Sequence, residues 1–157
     1  MRTGIGFDIH RFGEGDAVIL GNVCIPFDRK LIGHSDADVL LHAICDAMLG
    51  AAGEGDIGIH FPNTDLSLKG ISSIELLKRT KDIITKKGFC VSNLDSVVIA
   101  EAPKILAYRD DMIKNIASAL EIDVSQVNVK ATTSEGIGAI GNGEGISAYA
   151  VCLLTYV

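Results

Sequence analysis

The sequence has few aromatic residues and no tryptophan, and its cysteines are scattered. Phe, Trp and Tyr make up only 5% of the 157 residues. A core must therefore be built mainly from Ile, Leu, Val and Ala, and the hydrophobic content of 48% is sufficient for one. The four cysteines show no Cys-x-x-Cys spacing. This argues against a disulfide framework and predicts buried, reduced thiols.

Long apolar runs and clusters of basic residues are also missing. The longest apolar run, residues 146–157, contains Ser and Thr and is too short to span a bilayer. No apolar segment of the signal-peptide kind follows Met1, so we expect a cytoplasmic protein. The net charge is −6 and the basic residues are dispersed, which argues against nucleic acid as a partner. A phosphate-bearing substrate would need metal ions, helix ends and backbone N–H groups.

What the sequence contains is one series of strand and helix patterns, without repeats or linkers. Alternating or buried apolar runs predict strands over residues 5–10, 97–100, 127–133 and 146–156 and a hairpin over 18–25. Three- and four-residue spacing predicts helices over 36–52, 72–87 and 105–121, and residues 53–70 form a long loop. The order predicts a single α+β domain over residues 1–157, a mixed sheet with helices on one face.

Three side chains from two of these elements are candidate metal ligands. Asp8 and His10 are two residues apart on the first strand, so their side chains lie on the same face of the sheet. His42 lies inside the first helix among apolar residues, where a buried ring needs a partner. A carboxylate and two imidazoles leave the fourth position of a tetrahedral zinc ion open for catalysis. The alternatives are a hydrogen-bonded core histidine and an ordinary turn at the strand end.

The segment before the first helix combines a helix start with a histidine. Ser35 or Asp36 can cap the helix, which explains Ser35 but leaves His34 unexplained. Because the free N–H groups of a helix N-terminus bind phosphate, the other interpretation is a phosphate site beside His34. Asp46, one turn after His42, is either an acceptor for the second ring N–H of that histidine or a solvated charge.

A glycine-rich segment, residues 132–145, follows the strand 127–133. Three of its glycines formally match Gly-x-Gly-x-x-Gly, but a strand follows where dinucleotide binding requires a helix. Thr132, Thr133 and Glu135 lie at the start of the segment, so it can bind phosphate and a magnesium ion. A polar turn between two strands is the alternative.

These motifs, taken in order, resemble those of one enzyme family. They read Gly6-Phe-Asp8-Ile-His10, Gly33-His34-Ser35-Asp36-Ala-Asp38, His42, Gly55-Asp56-Ile57-Gly58, Phe61-Pro-Asn63-Thr-Asp65, Ala102-Pro103-Lys104 and Val129-Lys-Ala-Thr132-Thr133-Ser-Glu135. They cover nearly the whole chain and closely resemble the 2-C-methyl-D-erythritol 2,4-cyclodiphosphate synthase family of the non-mevalonate isoprenoid pathway. That family is a group of metal-dependent lyases that convert 4-diphosphocytidyl-2-C-methyl-D-erythritol 2-phosphate into the cyclic diphosphate and CMP.

The resemblance implies a homotrimer with active sites between neighbouring subunits. It makes Asp8, His10 and His42 the ligands of a catalytic zinc ion and Glu135 the ligand of a magnesium or manganese ion on the diphosphate. It makes His34 and Thr133 the residues that stabilise the transition state. The remaining implied substrate contacts are Ser35, Asp56, Ile57, Gly58, Phe61, Asn63 and Asp65 near the methylerythritol portion, Ala100, Ala102, Pro103, Lys104 and Leu106 near the cytidine, and Thr132 near the phosphates.

Three positions depart from the family pattern. Asn63 stands where the family usually has Asp, which removes a charge from a contact to a substrate hydroxyl. Ala139 and Asn142 replace an aromatic residue and an arginine that are common in relatives. That arginine lines a cavity on the trimer axis that can hold an isoprenoid diphosphate. We therefore predict weak or no binding of such diphosphates by this chain.

Two other functions use the same metal residues. One is a zinc-stabilised trimer that acts as an interaction scaffold, although structural zinc usually has four protein ligands. The other is zinc-dependent hydrolysis of a nucleotide diphosphate, which needs an activated water and gives an open-chain product. Measuring the release of CMP with and without a chelator distinguishes the scaffold from an enzyme. Whether the product is cyclic or open-chain distinguishes the synthase from the hydrolase.

Overall fold

Two long strands from opposite ends of the chain pair in the main sheet. In the computed structural model, which describes residues 1–157, β1 (Arg2–Glu14) pairs antiparallel with β7 (Gly145–Tyr156). β7 also pairs antiparallel with β5 (Phe89–Ile99), which pairs parallel with β6 (Val127–Thr132). With β4 (Arg29–Leu31) at the edge, the strand order is β4-β1-β7-β5-β6. β2 (Ala17–Leu20) and β3 (Val23–Pro26) form a separate hairpin, as predicted.

Three long helices cover one face of this sheet. They are α1 (Val39–Ala52), α3 (Ser73–Lys86) and α4 (Arg109–Leu120). Two one-turn helices, α2 (Ile57–His60) and α5 (Gly138–Gly141), lie in the connecting loops. The predicted α+β architecture, with a mixed sheet and helices on one face, is confirmed. No helix is both long enough and apolar enough to cross a membrane.

Glycines in β1 allow α1 to lie directly on the sheet. A Cβ atom added at Gly4 would lie 2.0 Å from the carbonyl oxygen of Ala47, and one at Gly6 would lie 1.9 Å from that of Ala43. Real side chains cannot occupy such positions, because protein interiors are close-packed. The absence of side chains at these two glycines therefore sets the distance between the strand and the helix.

The other face of the sheet is exposed and largely apolar near its centre. Ile5, Phe7 and Ile9 on β1 are 69%, 44% and 49% exposed, and Tyr149 and Val151 on β7 are 42% and 46% exposed. These five side chains adjoin one another across the β1–β7 pairing, with Phe7 opposite Tyr149 and Ile5 opposite Val151. We call them the apolar sheet face. A contiguous exposed apolar surface of this kind is typical of an interaction site.

The first helix begins later than predicted because a different residue caps it. The carboxylate of Asp38 accepts a hydrogen bond from the N–H of Leu41, and it also accepts from Gly21 and Asn22 in the hairpin turn. Burial raises the pKa of Asp38 to about 6. The prediction that Ser35 or Asp36 caps this helix is therefore wrong. Both of those side chains have other partners.

Other local predictions were also corrected. The helix predicted over 72–87 begins at Ser73, and Ser72 before it makes no side-chain cap hydrogen bond. The helix predicted over 105–121 begins at Arg109, after a 3-10 turn. The loop 53–70 contains α2 and a second 3-10 turn, and the glycine-rich segment contains α5. All four cysteines are free, but only Cys45 and Cys152 are buried, while the other two are exposed.

Candidate metal centre and substrate cleft

Asp8, His10 and His42 meet where the close approach of α1 to β1 brings them together. The Oδ2 atom of Asp8 lies 3.0 Å from Nε2 of His10 and 2.9 Å from Nδ1 of His42. The two ring nitrogens lie 3.2 Å apart. We call these residues the triad. It is the one group of three or more His, Cys, Asp or Glu side chains whose geometry can hold a metal ion, and it consists of the three predicted ligands.

Hydrogen bonds on the outer sides of the two rings leave lone pairs for the centre. Nδ1 of His10 lies 2.7 Å from the backbone carbonyl of Ile32, which can only accept, so Nδ1 carries the hydrogen. Nε2 of His42 lies 2.9 Å from the Ser73 hydroxyl and 3.0 Å from the Ser35 hydroxyl. With these outer nitrogens protonated, two lone pairs and a carboxylate oxygen face one another. Three acceptors this close need a shared cation, so the residues fit a metal ion.

The electrostatics of the triad also favour a cation. Burial opposes ionisation of Asp8, but the hydrogen bonds and charges of His10 and His42 outweigh it and hold the pKa of the carboxyl group well below its usual range. Burial likewise opposes protonation of His10, but its hydrogen bond and attraction to Asp8 raise the pKa of the ring. Positive charge at this point is stabilised by the carboxylate. A proton and a metal ion therefore compete for this position between the three side chains.

A cleft of about 670 Å³ opens beside the triad. This volume lies within the usual range of small-molecule sites. Seven of the other predicted site residues line the cleft: His34, Ser35, Ile57, Gly58, Phe61, Asn63 and Asp65. Asp56 lies next to it and caps α2, where its carboxylate accepts from the N–H of Ile59. The structure therefore groups the triad with the residues expected near the methylerythritol portion.

The remaining predicted residues form a second group on the same chain. They lie after the end of β5 and at or after the end of β6: Ala100, Ala102, Pro103, Lys104, Leu106, Thr132, Thr133 and Glu135. The two loops adjoin, since the N–H of Ala100 donates to the carbonyl of Thr132 at 3.0 Å. We call them the loop group. None of them lines the cleft. β6 lies three strand positions from β1, which corresponds to roughly 14 Å.

The loop group has its own internal contacts. The hydroxyl of Thr133 donates to the carboxylate of Glu135 at 2.9 Å, and Glu135 has a positive φ of 54° and an exposed side chain. Glu101, which the sequence analysis did not single out, joins the two loops by accepting from the N–H of Ser134 at 2.9 Å. These contacts present a hydroxyl and a carboxylate to solvent at the sheet end.

Other residues near the triad were missed or misassigned from the sequence. Asp46 makes no hydrogen bond to His42; its carboxylate accepts from the N–H of Ile57 at 2.7 Å and so holds the start of α2. The acceptors for His42 are serines, of which Ser73 was not predicted. Ser73 lies 31 residues from His42 in the chain, so no local spacing in the sequence indicates the contact.

Comparisons with known proteins identify the family of this chain. A family model described as the YgbB family matches residues 1–155. A 2-C-methyl-D-erythritol 2,4-cyclodiphosphate synthase from Pelotomaculum thermopropionicum is 56% identical over 154 residues, which cover 98% of this chain and 95% of the relative. The synthase of the same name from Lachnospira eligens is 55% identical and covers 100% of this chain and 86% of the relative.

Solved structures give the same result. The Plasmodium falciparum IspF complex with CDP matches with a TM-score of 0.85 and 39% identity, covering 99% of this chain and 96% of that one. The bifunctional IspDF of Campylobacter jejuni matches with a TM-score of 0.95 and 44% identity, covering 99% of this chain and 42% of that longer chain. The chain therefore belongs to the YgbB family of 2-C-methyl-D-erythritol 2,4-cyclodiphosphate synthases.

Proposed function

We propose that this enzyme cyclises 4-diphosphocytidyl-2-C-methyl-D-erythritol 2-phosphate and releases CMP. An oxygen of the 2-phosphate forms a bond to the β-phosphorus, while the bond from that phosphorus to the CMP oxygen breaks and CMP keeps the electron pair. The nucleophile belongs to the substrate, so no external water or strong base is needed. The protein must orient two phosphates and neutralise their charge.

The observation that carries this proposal is the triad at the edge of a substrate-sized cleft. Asp8, His10 and His42 would hold zinc through one carboxylate oxygen and two ring nitrogens, leaving an open position toward substrate. When bound, zinc supplies positive charge that polarises the phosphate oxygens. A protein with a net charge of −6 can in this way bind a polyanion without a basic surface.

The remaining residues would bind and orient the substrate. His34 lines the cleft beside the triad, where its side chain would stabilise charge on the transferred phosphoryl group. The walls formed by residues 57–65 would hold the methylerythritol portion. In the loop group, residues 100–106 would hold the cytidine, Thr132 and Thr133 would donate hydrogen bonds to phosphate, and Glu135 would bind magnesium or manganese.

We infer that each active site combines the triad of one subunit with the loop group of its neighbour in a homotrimer. Two observations support this arrangement. The two groups lie on separate parts of one chain and share no cleft. The apolar sheet face leaves large side chains such as Ile5 and Phe7 exposed in the isolated subunit, and packing against other copies would bury them.

The test is product analysis by phosphorus NMR. Purified protein incubated with the cytidyl substrate is expected to give equal amounts of CMP and the cyclic diphosphate. Protein treated with a chelator should give neither until zinc and magnesium are restored. Release of CMP together with an open-chain phosphate would identify a hydrolase instead. A protein that held zinc but released no CMP from the cytidyl substrate in the presence of magnesium would contradict the enzymatic proposal.

A further inference from the structure

A half-buried carboxylate, Asp36, and a buried hydroxyl, Ser73, lie behind the metal-facing side of His42. The hydroxyl of Ser73, the first residue of α3, donates a hydrogen bond to Oδ1 of Asp36. The backbone N–H of Ser73 donates to Oδ2 of the same carboxylate at 3.0 Å. Ser73 is completely buried. Asp36 therefore uses both carboxylate oxygens on one serine.

This arrangement determines which way hydrogen atoms point. A serine hydroxyl carries a single hydrogen. An ionised carboxylate carries none, so it can act only as an acceptor. The hydrogen of Ser73 therefore points to Asp36, and the Ser73 oxygen is left as an acceptor. Because this oxygen lies 2.9 Å from Nε2 of His42, the ring can hydrogen-bond to it only by donating from Nε2. The lone pair of the neutral ring is then on Nδ1, the atom that faces Asp8 at 2.9 Å.

We propose that Asp36 and Ser73 are positioning residues that favour the Nε2–H tautomer of His42 and thereby prepare Nδ1 to bind the metal ion. Outer hydrogen bonds of this kind are known to raise metal affinity at histidine sites. The proposal rests on the proposed function insofar as the triad holds zinc. It adds no metal ligand, because both residues act through His42.

Ser35 cannot perform this role by itself. Its hydroxyl lies 3.0 Å from Nε2 of His42 and accepts a hydrogen bond from the N–H of Ala37. Its hydrogen is not committed to a carboxylate; the nearest other partner is the hydroxyl of Ser73 at 3.3 Å. Ser35 can therefore turn to accept from or donate to His42. Only Ser73, through Asp36, has a fixed direction.

The same pair also joins the metal centre to the wall of the cleft. The N–H of Asp36 donates to the carbonyl of Ile71 at 3.3 Å, and the N–H of Gly70 donates to the carbonyl of His34 at 3.0 Å. The segment that carries His34 is thus fastened to the end of the loop that carries Asn63 and Asp65. Loss of the two side chains would leave these backbone hydrogen bonds in place, so His42 is the residue that it should loosen.

The first measurement is zinc affinity, determined by competition with a chromophoric chelator at pH 7.5. Ser73→Ala is expected to weaken zinc binding by about 10- to 100-fold, the range found when outer-shell partners of metal-binding histidines are lost. Asp36→Ala should weaken it in the same direction, because the Ser73 hydroxyl then becomes free to donate to Nε2. Ser72→Ala is the matched control and should match the unmodified protein, since the Ser72 side chain makes no cap hydrogen bond.

The second measurement reads the tautomer of His42 directly in metal-free protein, by long-range proton–nitrogen NMR at pH 9. The Asp8 carboxylate, 2.9 Å from Nδ1, attracts the ring hydrogen to that atom, and the Ser73–Asp36 pair opposes it. The unmodified protein should therefore show a larger fraction of the Nε2–H form than Ser73→Ala and Asp36→Ala. Ser73→Thr keeps the hydroxyl and should restore the larger fraction. A purely structural role would lower the unfolding temperature without changing the tautomer, and that result would overturn the proposal.

Two further outcomes are decisive. Unchanged zinc affinity and an unchanged tautomer in Asp36→Ala would overturn the proposal even if Ser73→Ala failed to fold. If the unmodified protein bound no zinc, the proposed function would fail. The tautomer measurement in metal-free protein would still decide the role of Asp36 and Ser73, so the two failures are distinguishable.

Discussion

The triad and the loop group are built in different ways, although both are expected to contact one substrate. The triad lies on a strand and a helix, and the outer nitrogens of its rings contact a backbone carbonyl and two serine hydroxyls. The loop group lies on two connections, and Glu135 is exposed. In the arrangement proposed above, one chain completes the cation site alone, whereas the loop group faces a substrate only together with a neighbouring subunit. Sites on regular elements are in general held more precisely than sites on loops.

The sharpest test of this division mixes two inactive variants. His42→Ala removes a triad ligand and Glu135→Gln removes the carboxylate of the loop group, and each change should lower kcat/KM by at least about 10³-fold. If the groups meet across subunits, refolding the variants together at equal ratio should restore about a quarter of the unmodified activity, because one random pairing in four joins two intact groups. If both groups of an active site came from the same subunit, mixing the variants would give no recovery.

Metal removal should separate the two groups by their effect on stability. Zinc that binds only the folded state stabilises it by about 4 kcal/mol when free zinc is 1,000 times the dissociation constant. Dialysis against a chelator should therefore lower the unfolding temperature measured by calorimetry, and His42→Ala should abolish this zinc dependence. Glu135→Gln should keep the full zinc effect. Loss of the zinc effect in Glu135→Gln would contradict the independence of the two groups.

The triad should also make the stability of the fold depend on pH. The pKa of Asp8 is lower in the folded state than its ordinary value of 3.8, so its ionised form stabilises the fold above that value. This stabilisation should be lost as the pH falls below 3.8. In metal-free protein, Asp8→Asn should cost on the order of 2 kcal/mol at pH 5. The gap between variant and unmodified protein should narrow toward pH 2.5 in urea unfolding. A gap that does not change with pH would be inconsistent with this origin.

The smallest expected effect concerns the cleft wall. Asn63→Asp restores the carboxylate that is usual in the family, and Asn63 lines the cleft with the triad. A hydrogen bond to a charged group contributes about 1.5–3 kcal/mol and a neutral one about 1 kcal/mol. We expect KM for the cytidyl substrate to fall by about 3- to 10-fold, with kcat and zinc affinity unchanged. A change in zinc affinity would show that the cleft wall influences metal binding at the triad.

The long helices, most of the strands and the three candidate ligands were predictable because each depends on local patterns, whereas β4 and the part of β5 before residue 97 were not predicted. Asp8 and His10 share a face of β1 because strands alternate with a period of two, and His42 is marked by its apolar neighbours. The contact of His42 with Ser73 depends on how α3 packs against α1, which no local spacing records. The cap at Asp38 was missed for a similar reason, because its other two hydrogen bonds come from the distant hairpin turn.

The loop group shows a second limit of sequence reasoning. Its residue types indicate phosphate and metal binding, but the motifs alone do not reveal that they lie on a different part of the subunit from the triad. That separation follows from the strand order, in which β7 and β5 come between β1 and β6. Strand order depends on long-range pairing between the two ends of the chain.

The glycines of β1 have a consequence for how this enzyme can vary. Asp8 belongs to the strand and His42 to the helix, so the gap between these two elements is itself a dimension of the cation site. A methyl group at Gly6 would push against the carbonyl of Ala43, the residue next to His42, and would move one ligand away from another. A position with no side chain and no part in the chemistry thus limits which ions the protein can select.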